Sequence, residues 1–133
     1  MLVALAAAAL SSAAAGPYPA CPRARTTLDI DECYAGELRR RHGELDHYLA
    51  AATRRLRDQP AATRASFAEA QAQWTRYRDA ACGAVYAWYG DGSIRNARAL
   101  ECRITLTRER TRTVWRDWLR YEDSTPPILP EPR

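Results

Sequence analysis

The sequence contains no lysine, so all 20 of its basic side chains are arginine. It has one phenylalanine and one methionine, and the strand-favouring residues valine and isoleucine are scarce. Alanine and arginine, both good helix formers, are abundant instead. The chain of 133 residues, 47% apolar and 27% charged, is large enough for one folded domain with a modest core. We therefore predict a single all-α domain.

Motifs for the common catalytic chemistries are missing as well. The sequence has no glycine-rich phosphate loop, no CxxC pair, no haem-attachment motif and no nucleophile in a plausible histidine context. Its two histidines, His42 and His47, are five residues apart rather than on one helical face as a zinc pair requires, and we expect them at the surface. The prediction is a protein that is not an enzyme, with no catalytic residue, no metal and no cofactor.

The net charge of +4 is modest for a nucleic-acid-binding protein. Such proteins concentrate their basic residues on one face, whereas here aspartates and glutamates alternate with the arginines along the whole chain. Nucleic acid is therefore an unfavoured partner.

Residues 1–15 have the character of a signal peptide. The uncharged run MLVALAAAALSSAAA ends in small residues before Gly16, which fits a cleavage site, and it is too short for a permanent membrane anchor. We predict a mature chain without a transmembrane helix, periplasmic or secreted. A lipid-anchored form, with a lipoprotein signal ending at Cys21, is the less favoured alternative, because Tyr18 stands where such signals usually carry leucine.

Three apolar stripes with helical spacing follow. The first begins after Thr26 or Thr27, which can cap a helix, and Pro60 separates it from the second. The sequence YGDGS supplies a turn, in which Gly90 allows a positive φ and Ser93 can cap the third helix. The predicted divisions are an N-terminal segment with the first cysteine (16–26), an antiparallel three-helix bundle (27–122) and an extended, mobile proline-rich tail (123–133).

The cysteines fit the register of the second and third helices. If these helices fold back at the YGDGS turn, residues whose numbers add up to about 185 face each other, and the two apolar stripes meet. The same register places Cys82 opposite Cys102. An even number of cysteines in a small exported domain favours disulfides. We predict the bonds Cys82–Cys102 and Cys21–Cys33, with crossed pairings or four free thiols as alternatives.

The stretch AQAQWTRYRDAAC, residues 70–82, places charges beside an apolar stripe. We expect Trp74 and Tyr77 to pack inside. Arg78 is expected at the edge of the seam with the third helix, and Asp79 is expected to pair along the helix with Arg76. A structural role is favoured over a catalytic one, because such ion pairs are common on helical proteins.

The hairpin turn is the candidate binding surface. It concentrates tyrosine, tryptophan and arginine, the residues that dominate protein interfaces. Trp88 is expected in the core, whereas Tyr86 and Tyr89 lie off the stripe and are expected to be exposed near Arg95 and Arg98. Ordinary packing at the helix ends is the alternative interpretation.

The stretch AQAQWTRYRDAAC resembles the hallmark of the LprI-like family of bacterial envelope proteins, which reads roughly AQ-x-x-W-x-x-[FY]-R-D-x-x-C. The glycine-serine turn and the later CRITLTRER also look like the family, and the likeness extends from Cys21 to about Leu119. The hallmark residues, which we take as structural, are Gln71, Trp74, Tyr77, Arg78, Asp79 and Cys82.

The resemblance implies an exported, disulfide-bonded, helical protein that inhibits lysozyme and has no catalytic residues. Animal lysozymes are commonly basic, so a partner of charge +4 is not steered towards them over long range. Their cleft holds two carboxylates, with which Arg95 or Arg98 could pair locally. The alternative is a non-enzymatic envelope module that binds another envelope protein, an anionic cell-wall polymer or lipid headgroups.

Overall fold

The computed structural model describes residues 21–133, and the predicted signal peptide lies outside this range. Three α-helices are present, α1 (Thr27–Arg55), α2 (Ala61–Trp88) and α3 (Arg95–Val114). A short π-helical segment, here called the π-turn, continues α3 over Trp115–Leu119. No strand occurs within residues 21–133, and the all-α prediction is confirmed.

The third helix lies between the other two. It packs extensively against both α1 and α2, which make little contact with each other. Consecutive helices are antiparallel, so α1 and α3 run parallel. Asn96 Nδ2 donates to Asp31 Oδ2 at 3.1 Å, and Arg55 Nη1 donates to the Arg120 carbonyl at 2.7 Å. As a result, α2 has one main neighbour, and its side away from α3 is left uncovered.

Local signals account for the ends of α1. Thr26 Oγ1 accepts a hydrogen bond from the Asp29 amide at 3.1 Å, and Asp29 Oδ2 accepts one from the Thr26 amide at 3.0 Å, a reciprocal capping box. Hydrogen bonds from the backbone amides of Arg25 and Thr26 hold the pKa of Asp29 below its ordinary value. The helix ends at Arg55, and Pro60 directly precedes α2, as its fixed φ favours.

The turn between α2 and α3 uses its glycines in two ways. Gly90 has a φ of +52°, in the left-handed region that favours glycine. A Cβ on Gly92 would lie 2.9 Å from the Tyr89 carbonyl oxygen, to which the Gly92 amide donates. The expected cap by Ser93 is wrong, because Ile94 is the residue that precedes α3 and its side chain makes no capping hydrogen bond.

Both predicted disulfides are present. The Cα atoms of Cys82 and Cys102 are 5.6 Å apart, and those of Cys21 and Cys33 are 6.3 Å apart. The first bond confirms the antiparallel register of α2 and α3, and the two bonds together exclude the crossed pairings and the free thiols.

The apolar core lies at one end of the bundle, here called the base, where α1 ends, α2 begins and α3 passes into the π-turn. Along α3 the core continues through Thr107 and Thr111, whose hydroxyls donate to backbone carbonyls four residues earlier and so remain satisfied. At the opposite end few residues are buried. The core cluster consists of Leu45, Tyr48, Ala51, Ala52, Leu56, Phe67, Val114 and Leu119.

Two large residues of the α2 stripe face solvent. The side chains of Trp88 and Tyr77 are 85% and 60% exposed, so the prediction that they pack inside is wrong. The reason is the position of α3 between its neighbours. Only the part of the α2 stripe that turns towards α3 is covered, and no other helix of residues 21–133 reaches the rest.

The proline-rich tail, predicted to be extended and mobile, packs against the base. Trp115 Nε1 donates to the Leu129 carbonyl at 2.8 Å, and the Tyr48 hydroxyl donates to the Pro130 carbonyl at 2.7 Å. Pro132 is buried. The tail lacks regular secondary structure, as its prolines require, but its carbonyls find donors on α1 and the π-turn.

Within residues 21–133, none of the helices combines the length and the apolar character needed to cross a membrane.

Replacing Cys82 and Cys102 together by serine is expected to lower the free energy of unfolding by about 3 kcal/mol, because the bond restricts the unfolded chain. It joins residues 20 positions apart. Urea unfolding of the oxidised protein, followed by circular dichroism, measures the change. The matched control, Cys21→Ser with Cys33→Ser, removes a bond across 12 positions and should cost slightly less. Unchanged stability of the first variant would show that the base alone holds the hairpin.

Candidate functional site

The hairpin tip, residues 86–98, brings the four predicted binding residues together as two arginine–tyrosine pairs. Arg95 Cζ lies 4.9 Å from the centre of the Tyr86 ring, and Arg98 Cζ lies 5.8 Å from the centre of the Tyr89 ring. Both pairs have cation–π geometry. Tyr86 is exposed, as expected, whereas Tyr89 was expected to be exposed and is half-buried.

The two arginines differ in how firmly they are held. Arg98 donates through Nε to the Tyr89 hydroxyl at 3.2 Å and forms an ion pair with Glu101. These two partners raise the pKa of Arg98 above its ordinary value. Arg95 donates to the Gly90 carbonyl at 3.0 Å and lies 3.6 Å from a carboxylate oxygen of the fully exposed Asp91. Of these two arginines, Arg95 therefore has the longer and weaker ion pair.

Trp88 is the most exposed large apolar residue of the tip, and Ile94 also faces solvent. An open groove of about 670 Å³ runs from Trp88 back along the seam of α2 and α3. Its α2 side consists of apolar residues, and its α3 side carries the Arg98–Glu101 ion pair. The groove is lined by Tyr77, Ala81, Ala84, Val85, Trp88, Tyr89, Arg98, Glu101, Cys102, Thr105 and Leu106.

Hydrogen bonds within the turn and a nearby disulfide restrict the conformation of the tip. The Gly90 amide donates to the Ala87 carbonyl at 3.0 Å, and the Gly92 amide donates to the Tyr89 carbonyl at 2.9 Å. The disulfide at Cys82 ties α2 to α3 about two helical turns below Trp88. A surface held in this way loses little conformational entropy when it binds a partner.

The hallmark residues lie in the middle of the bundle, away from the tip. Trp74 is half-buried, with Arg78 Cζ at 5.1 Å and Arg110 Cζ at 5.9 Å from the centre of its indole. Gln71 Oε1 accepts a hydrogen bond from Arg110 Nε at 3.0 Å, and burial lowers the pKa of Arg110. The α2 residues Gln71 and Trp74 thus hold a half-buried arginine of α3.

Arg78 reaches α1 rather than the third helix as expected. Its Nη1 lies 2.9 Å from His42 Nε2, and its Nη2 lies 2.9 Å from Asp79 Oδ1. The expected pair of Asp79 with Arg76 is wrong, because Asp79 is held by its neighbour in the chain, and Arg76 pairs instead with Glu69. The spacing of residues within α2 cannot predict that Arg78 contacts a residue of α1.

His42, which was expected at the surface, is half-buried in this cluster. Burial, and next the charge of Arg78, hold its pKa below the ordinary value of 6.5, although Asp46 and Asp79 act in the opposite direction. Because arginine can only donate, His42 Nε2 accepts the hydrogen bond and the imidazole is neutral. Applying the register argument to α1 and α2 would have placed His42 within about one turn of Arg78.

No group of three or more histidine, cysteine, aspartate or glutamate side chains within residues 21–133 is arranged to hold a metal ion. The tip, which presents the exposed indole of Trp88 and the lightly paired cation of Arg95, is suited to contact with another macromolecule.

Comparison with known proteins identifies the family. A family model described as "Lysozyme inhibitor LprI" matches residues 20–114. The chain belongs to the LprI family. The match includes both disulfides, the hallmark cluster and the whole tip, and it ends at the last residue of α3. No curated protein and no solved structure matches this LprI-family chain.

Lowering the pH from about 7.5 to about 5 is expected to destabilise the protein through His42. Below pH 6.5 the unfolded chain takes up a proton on this residue, whereas the folded protein, whose His42 pKa is lowered, resists it. The His42→Gln variant keeps an acceptor for Arg78 and should lose less stability over this range. Urea unfolding at both pH values measures the difference.

The matched control is His47→Gln, because His47 is exposed on the same helix. This variant should retain the full pH dependence of the wild type. If His42→Gln and the wild type lose equal stability, His42 does not carry the effect.

Proposed function

We propose that this LprI-family protein inhibits a lysozyme by inserting its hairpin tip into the active-site cleft. The observation that carries the proposal is the exposed indole of Trp88, 85% accessible, at the end of a helical hairpin that also presents Arg95. Membership of a family described by lysozyme inhibition supplies the partner. The geometry of the tip supports the mode of contact.

The shape of the tip suits a cleft. The tip projects beyond the core, which lies at the base, so a partner can surround it without disturbing the fold. A buried tryptophan is among the strongest contributors to protein interfaces, and a rigid turn limits the entropy lost on binding. Trp88 is therefore the expected anchor of the contact.

Arg95 supplies the local electrostatic complement. The cleft of a lysozyme contains two carboxylates, and an arginine can pair with a carboxylate through two hydrogen bonds. Arg95 would exchange its hydrogen bond to the Gly90 carbonyl and a weak interaction with the exposed Asp91 for this pair. Arg98 is held by Glu101 and Tyr89 and instead supports the rim of the groove. Such short-range pairing offsets the unfavourable net charge of two basic proteins.

The disulfides support an envelope or extracellular location. Two structural disulfides in a small domain are typical of proteins that fold in an oxidising compartment. The Cys21–Cys33 bond favours the soluble exported form over a lipid-anchored one, because lipidation would use the Cys21 sulfur. We propose a periplasmic or secreted, non-enzymatic protein.

Binding to an anionic polymer through arginine-rich faces is the less favoured function. Several arginines are already neutralised by neighbouring acids, for example Arg40 and Arg41 by Glu37 and Glu44. Burial acts to raise the pKa of Glu37. The hydrogen bonds and the charges of Arg40 and Arg41 act more strongly in the other direction, so the pKa of Glu37 lies below its ordinary value. Binding that weakens steeply with salt would favour this function, since a well-packed inhibitory contact depends less on ionic strength.

The test is inhibition of a c-type lysozyme during lysis of a peptidoglycan suspension at physiological salt. The wild type should inhibit in a saturable, dose-dependent manner. The variants Trp88→Ala and Arg95→Ala should each raise the inhibition constant about tenfold or more, because each removes a side chain central to the contact. The double variant Arg95→Ala, Arg98→Ala should lose at least as much.

Two matched controls isolate the tip. Arg76→Ala removes the same charge from the middle of α2, and Leu28→Ala removes an exposed apolar side chain from α1. Both should inhibit like the wild type. Equal inhibition by all of these proteins would refute insertion of the tip, and no inhibition by the wild type would refute the proposed function.

A further inference from the structure

The uncovered side of α2 between Tyr77 and Trp88, here called the α2 face, is an apolar stripe about three helical turns long. Each member lies three, four or seven residues from at least two others, so they share one side of the helix. They are exposed, except for the half-buried Ala81. The α2 face consists of Tyr77, Ala80, Ala81, Ala84, Ala87 and Trp88.

The α2 face carries no charged residue between Tyr77 and Trp88, although 27% of the chain is charged. Arg76, which pairs with Glu69, lies just beyond its Tyr77 end. An exposed stripe of this length without charge, with large aromatic residues on it, is typical of a protein interaction surface. We infer that the α2 face is where two copies of this chain associate, with their α2 helices antiparallel.

The order of residues along the face is symmetric, and this symmetry selects a second copy as the partner. In an antiparallel pair whose two-fold axis passes between Cys82 and Gly83, Tyr77 of each copy lies opposite Trp88 of the other. The same axis places Ala81 opposite Ala84. Large rings therefore meet at both ends, and small residues in the middle let the helices approach closely. A two-fold contact requires such a self-complementary patch.

The charge and the size of the face agree with this partner. Two chains of charge +4 repel each other, so a face without charged side chains suits a contact between them, and Arg98 on the α3 side of the groove is paired with Glu101. The four rings contribute roughly 100–200 Å² each, and with the alanines the contact reaches about 1,000 Å². This area lies at the lower end for specific interfaces, so we expect a dimer that forms at micromolar concentrations.

In this dimer, α2 of the second copy also fills the groove between α2 and α3. The groove beside the α2 face is bounded on its far side by α3. The second α2 would lie along it, so that two α2 and two α3 helices form a four-helix arrangement around the two-fold axis. Trp88 is covered in this dimer, so self-association and the proposed insertion into lysozyme exclude each other.

The test is sedimentation equilibrium of the oxidised protein, without lysozyme, from about 1 to 500 µM, which spans the expected micromolar range. The wild type should pass from monomer to dimer. Ala84→Arg and Ala84→Glu each place two like charges near the axis and should remain monomeric at every concentration. An equimolar mixture of the two should regain the dimer, because the charges on opposite copies then attract.

The control Leu28→Arg adds the same charge at an exposed position of α1 and should dimerise like the wild type. Circular dichroism verifies that all four proteins are folded. A wild type that stays monomeric throughout, a Leu28→Arg variant that dissociates like Ala84→Arg, or a mixture that stays monomeric would each overturn the inference. Ala84→Arg leaves Trp88 and Arg95 in place, so its lysozyme inhibition, measured separately, tests the proposed function independently.

Discussion

The Cys82–Cys102 bond is the constraint on which the proposed binding end of this protein depends. The second helix packs mainly against α3, and beyond Cys82 it has few buried side chains to hold it there. In this half of the hairpin, the disulfide rather than an apolar core holds α2 against α3. Because the bond lies directly below the tip, it stiffens the turn that presents Trp88 and Arg95 while leaving their side chains accessible.

The apolar core and the proposed binding surface consequently lie at opposite ends of the bundle. The base contains the apolar cluster, and the tail packs over it with carbonyls that accept hydrogen bonds from Trp115 and Tyr48. The tip and the adjoining α2 face contain most of the large exposed apolar residues found within residues 21–133. An interaction surface can carry an exposed tryptophan at little cost to folding when the core that supports the fold lies elsewhere.

The hallmark cluster links these two ends and explains why charges stand beside an apolar stripe. The indole of Trp74 packs between two guanidinium groups, one of which reaches α1 through His42 while the other is held by Gln71. Arginine suits this position because its planar group can lie on an aromatic ring and still donate hydrogen bonds sideways. The three helices are thereby joined at mid-height by polar contacts rather than by further apolar packing.

The sequence by itself determined the features that depend on local chemistry and on the spacing of residues along the chain. Thr26 and Pro60 marked the helix ends, Gly90 marked the turn, and the antiparallel register paired Cys82 with Cys102. The four candidate binding residues at the tip lie together for the same reason, since a helical hairpin brings the end of one helix to the start of the next. Tertiary structure alone decided which half of the α2 stripe was covered, that Arg78 turned to α1, and that the tail docked on the base. A helical stripe records which side of a helix is apolar, but only the positions of the neighbouring helices determine which part of that side is removed from water.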